Sequence, residues 1–73
     1  MKLKLNTFSR GKKEVEVKDI FEAVKTLNNF IDKEFIPSSD MNKGFGDVIL
    51  DKKKICEISY NGMVIDMEKR FLK

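Results

Sequence analysis

The chain contains no histidine and no tryptophan, a single cysteine, a single proline and no long apolar run. Without histidine it lacks the commonest general base, and no ordinary nucleophilic triad can be assembled. One cysteine excludes an intramolecular disulfide, and with no histidine beside it an ordinary zinc site is excluded too. No stretch approaches the roughly 20 apolar residues of a membrane-spanning helix. Residues 1–6 carry no apolar segment of signal-peptide type, so the expected location is the cytoplasm. Glycine-rich loops of the P-loop or dinucleotide-binding kind are absent. The expectation is a protein that is not an enzyme, holds no metal or cofactor, and has no membrane partner.

What is present suits one small domain spanning residues 1–73. The composition is 41% hydrophobic with six phenylalanines, which separates it from a disordered chain despite 37% charged residues. A domain of this length buries only about 60% of the surface its unfolded chain exposes, so its stability margin is thin. Net charge is +3, from 15 Lys and Arg against 12 Asp and Glu. That excess permits a polyanionic partner without requiring one.

The longest periodic stretch is Asp19 to Phe35. Ile20, Val24, Leu27 and Ile31 recur in steps of four, three and four, with Phe21, Ala23, Phe30 and Phe35 widening the stripe. That is one face of an α-helix. Asp19 followed by Glu22 predicts a capping box, and Pro37 predicts that the chain is extended by Ile36.

The flanking segments alternate. Lys2–Phe8 and Lys13–Lys18 predict a hairpin around Arg10-Gly11-Lys12, with Thr7 opposite Val15 and Leu5 opposite Val17. Residues 36–46 read as a long loop. Asp47–Asp51, a lysine turn at 52–54 and Ile55–Tyr60 follow, and Asn61-Gly62 predicts a two-residue type I′ turn into a last strand. That turn would pair Tyr60 with Met63, Ile58 with Ile65 and Cys56 with Met67 on the core face. Residues 69–73 would extend this strand or fray. The fold class is therefore α+β, a two-layer domain in which an antiparallel sheet, in the order β-β-α-β-β-β, packs on one amphipathic helix.

The same register sends Ile55, Glu57, Val64 and Asp66 to the outer face of the sheet. Apolar residues on a nominally exposed face mark a contact surface, with Phe45 in the preceding loop as an outlying member. Glu57 opposite Asp66, with Glu68 diagonal, makes a carboxylate cluster; adjacent lysines would neutralise it more readily than a hard cation. A second set is basic. Arg10, Lys12 and Lys13 sit in one turn and Lys52, Lys53 and Lys54 in another, and they form one phosphate-sized patch if both turns lie at the same end.

Lys43-Gly44-Phe45-Gly46-Asp47-Val48-Ile49-Leu50 resembles the octapeptide of RNA-recognition motifs and its shorter form in cold-shock domains. The resemblance implies that Phe45 stacks on a base beside Lys43. Asp47 stands where those families place a second aromatic, and no strand fits between the helix and this segment.

The leading functional expectation is a small non-catalytic interaction domain acting by protein–protein contact, with an unidentified partner or with itself as a homodimer. By size and composition it suits an accessory or inhibitor protein of a phage or other mobile element. The alternative is a nucleic-acid-binding protein using the basic turns and the Lys43–Phe45 segment.

Overall fold

A computed structural model describes residues 1–66 and 71–72, the last three of these by backbone alone. The elements are β1 (Lys2–Lys4), β2 (Glu14–Glu16), α1 (Ile20–Glu34), a 3-10 turn (Ser38–Asp40), β3 (Asp47–Leu50), β4 (Lys53–Ile58), β5 (Val64–Asp66) and β6 (Phe71–Leu72). All strand pairs are antiparallel, in the sheet order β2-β1-β3-β4-β5-β6. The expected β-β-α-β-β-β domain is present, with a two-residue sixth strand at its edge.

The helix starts where its capping residues require. Asp19 is extended and accepts the Glu22 amide at 2.8 Å, while Glu22 reaches back to the Lys18 amide at 2.6 Å. One orphan amide donor of the helix, that of Glu22, is thereby satisfied, and the Glu22 carboxylate ties down the chain just before the cap. At the other end Phe35 adopts the left-handed conformation (φ 53°, ψ 50°), and the amides of Phe35 and Ile36 both reach the Ile31 carbonyl. Pro37 bars Ile36 from helical geometry, so the chain reverses at Phe35 and turns Ile36 inward to be buried.

The buried stripe of α1 is narrower than the sequence suggests. Ala23 and Leu27 are buried against the sheet, with Ile20, Val24, Phe30 and Ile31 flanking them. Phe21 and Phe35 are solvent-exposed. At 100° per residue Phe21 lies well off the Ala23–Leu27 line, and Phe35 is past the last helical turn. Leu3, Leu5, Val17, Val48, Cys56, Ile58 and Val64 supply the facing side of the core. Burial at roughly 25 cal/mol per Å² makes this single layer the main stabilising term of the domain.

Both hairpins differ in register from the sequence reading. In the first, Leu3 pairs with Val15, and Thr7 bridges Gly11. The turn is therefore Phe8–Arg10, closed by the Arg10 amide donating to Thr7 Oγ1 at 3.0 Å. The shift is four residues, an even number, so Leu3, Leu5 and Val17 still face the core. In the second, Ile58 pairs with Val64 and Glu57 with Ile65. Its turn has three residues rather than two: Ser59 and Met63 close it, the Gly62 amide donates to the Ser59 carbonyl, and Gly62 takes φ 85°. A type I turn followed by a left-handed glycine gives this bulged geometry. The one-residue slip exchanges the faces of β5, so Val64 enters the core and Ile65 turns outward. The expected pairing of Cys56 with Met67, the position of Glu68 and most of segment 69–73 lie outside the described residues.

The 36–46 segment is anchored rather than free. The Phe8 amide donates to Asp40, the Asn42 amide to Asn6, and the Gly46 amide to Lys4, so it runs beside β1 on both sides of a bulge at 43–45.

Candidate functional site

The sheet-face set from the sequence is not assembled. Val64 is 8% exposed and packed in the core. Phe45 is 7% exposed and lies against Phe30, with ring centroids 6.3 Å apart and planes at 39°. Its ring is committed to the interior, so the base-stacking role implied by the octapeptide resemblance does not fit. Gly44 and Gly46 there make a bend that delivers a packed phenylalanine into the core. Ile55 is half-buried against the core, and Asp66 is opposite Cys56 instead of Glu57.

Glu57 does lie on the face away from the helix, paired in register with Asp47. Two opposed carboxylates would repel, and Lys54 resolves the conflict. Its Nζ is 3.3 Å from Asp47 Oδ1 and 3.3 Å from Glu57 Oε2. Burial acts to lower the Lys54 pKa, but the hydrogen bonds and charge of Asp47, then those of Glu57, outweigh it and hold the pKa above the ordinary lysine value. Among the described residues, no group of three thiol or carboxylate side chains converges as a metal site would require.

The two basic turns lie at opposite ends of the sheet. β1 and β3 are antiparallel with Lys2 opposite Ile49, so the 51–52 turn falls beside the start of β1 and the Phe8–Arg10 turn beyond its end. Arg10 faces the helix and pairs with Glu34 at 3.2 Å. Lys52 and Lys53 stand at the far end. The structure instead gathers Lys4, Lys12, Lys13, Lys43 and Lys54 around an open groove of about 940 Å³ on the bare sheet face, with Asn6, Asn42, Glu14, Asp47 and Glu57.

Asn6 shapes this groove. It is buried, accepts the Lys13 amide at 3.2 Å and donates to the Lys43 carbonyl at 3.1 Å, tying the hairpin to the 42–46 bend. A buried amide is retained only with its partners satisfied. Asn6 alternates with core leucines in the sequence, and nothing in that pattern marks it out.

A second feature lies past the end of β1. Phe8 is 68% exposed in the hairpin turn and Phe35 is 88% exposed at the helix terminus. Their segments are held together by the Arg10–Glu34 pair and by Asp40, which accepts the Ser9 amide at 2.9 Å and the Ser9 hydroxyl at 2.5 Å. The outward parity of Phe8 is visible in the sequence. That of Phe35 follows once the Ile36-Pro37 step is seen to force a reversal one residue earlier.

Comparison with protein-family models, with curated proteins and with solved structures returned no match.

Proposed function

We propose that this chain is a non-catalytic interaction domain acting by protein–protein contact, and that the end bearing Phe8 and Phe35 is its contact surface. One observation carries this reading. Phe35 is a bulky aromatic in a left-handed conformation, with 88% of its surface in water. That position ordinarily holds glycine or asparagine, and a non-glycine residue there costs about 1 kcal/mol or more. Phe35 therefore returns nothing to the fold in exchange for its strain. Strained residues with exposed aromatic rings suit binding anchors, which are rich in aromatics and dominate interface energetics. Phe8 supplies a second anchor on a turn braced by Ser9–Asp40 and Arg10–Glu34, so the two are held without free chain between their supports.

An accessory or inhibitor role fits a rigid domain whose useful surface is one aromatic end. A photo-cross-linking residue in place of Phe8 tests the reading in extracts of the source cell and in pure protein. The expected result is a discrete adduct, with a partner or with a second copy, that disappears in Phe35→Gly. An adduct of undiminished yield in Phe35→Gly overturns it.

A further inference from the structure

The lysine groove on the bare face of the sheet stands apart from the aromatic end and has its own chemistry. It holds five lysines and three carboxylates. Two of those carboxylates, Asp47 and Glu57, are occupied by Lys54. Among the described residues Lys4, Lys12 and Lys43 have no ion-pair partner, whereas the Lys13 ammonium lies on the helix side of the sheet, over the Phe30 ring at 5.3 Å from its centroid. Three ammonium groups, those of Lys4, Lys12 and Lys43, thus face Glu14 among the described residues of the lining.

Two features narrow the ligand class. Among the described residues the lining contains no exposed apolar side chain, since Phe45 is turned into the core and the remaining residues are charged, amide or glycine. A protein partner would find charge here but no anchor pocket. The cations are all lysine, because Arg10 is turned away to Glu34. Lysine binds phosphate as a point charge, without the planar fork that arginine offers to carboxylate and phosphate alike.

We infer that the groove is a binding site for the phosphodiester backbone of nucleic acid. Lys4, Lys12 and Lys43 contact phosphates, and Asn6 and Lys54 set the shape of the site. With no free aromatic in the groove there is no base-stacking platform, so binding is independent of sequence. This site does not depend on the aromatic end.

The test is fluorescence anisotropy of a labelled oligothymidylate about 15 nucleotides long, a length that spans the site sizes of single-strand binders. Three phosphate contacts give a salt slope near −2, so raising salt from about 50 to about 200 mM weakens binding roughly 20-fold. Lys43→Gln and Lys12→Gln each lower affinity several-fold and flatten the slope by about 0.7, at unchanged circular dichroism. Lys52→Gln and Lys53→Gln, at the other end of the sheet, leave the affinity unchanged, and so does Phe35→Gly. No binding at the lower salt overturns the inference. So does an equal loss in the Lys52 and Lys53 variants, which marks diffuse charge, or equally tight binding of a glutamate decapeptide, which assigns the groove to acidic protein segments.

Discussion

The Tyr60 hydroxyl donates to the Ile36 carbonyl at 2.5 Å, joining the β4–β5 turn to the residue at which the chain leaves the helix. Ile36 has left the helix and its side chain is buried, so its carbonyl has no regular partner. Tyr60→Phe removes the donor and keeps the ring. The expected loss is about 1–2 kcal/mol, read as a lower denaturant midpoint at constant m-value. An unchanged midpoint would show that water replaces the hydroxyl fully.

Gly46 is a stricter requirement. Its amide donates to Lys4, its carbonyl accepts from Ile58, and its φ is 88°. An added Cβ would collide with the backbone carbonyl of Ile58, which cannot swing aside as a side chain would. Gly46→Ala is expected to destabilise by about 3 kcal/mol or more, a large part of the margin of a domain this size. Thermal unfolding followed by circular dichroism checks it; a melting temperature within a few degrees of wild type contradicts the packing described.

Phe35→Gly should move stability the other way. Glycine adopts the left-handed conformation freely, and the ring it removes is exposed, so a gain of about 0.5–1 kcal/mol is expected, reduced by the greater freedom of glycine in the unfolded chain. A variant that is no less stable yet loses contact with a partner separates binding from folding cleanly. Loss of stability on this substitution would mean that the ring supports the fold.

Lys54 gives a pH signature. Its folded pKa lies above the unfolded value, so the stability it contributes is fully present below the ordinary lysine pKa and is lost as pH rises through the folded one. Wild-type stability should therefore decline on the alkaline side, starting near pH 10.4, the ordinary lysine value. Lys54→Met should be less stable at neutral pH, because Asp47 and Glu57 then face each other unneutralised, and its alkaline decline should be shallower. Parallel alkaline profiles for the two proteins would remove Lys54 from this role.

Much of the fold is legible in the sequence because it rests on periodicity. The helix, its Asp19–Glu22 cap and the core faces of β1 and β4 follow from spacing and turn signals. Register is harder to read, since it depends on turn geometry that a few local hydrogen bonds decide. Thr7 Oγ1 and the Ser59 carbonyl, as acceptors of turn amides, set the two hairpins. The consequences are unequal. A four-residue shift in the first hairpin preserves every face, while a one-residue shift in the second moves Val64 from the surface to the core and dissolves the expected contact patch. The groove was legible only in part. Lys12, Lys43 and Lys54 are conspicuous as residues, but that they converge on Lys4 and Asn6 depends on β1 lying between β2 and β3, which no local pattern encodes.

That central place of β1 also bears on how the molecule is made. One neighbour, β2, arrives within about a dozen residues, and the N-terminal hairpin can close at once, followed by the helix. The other neighbour pairs Lys2 with Ile49, across nearly the whole intervening chain. Closing so large a loop is entropically unfavourable until its contacts are made. On the ribosome the first half is thus left with an open strand edge and an uncovered helix stripe until β3 emerges. Docking of β3 onto β1 is the expected slow step of folding, and that interval is when the nascent chain is most exposed to aggregation.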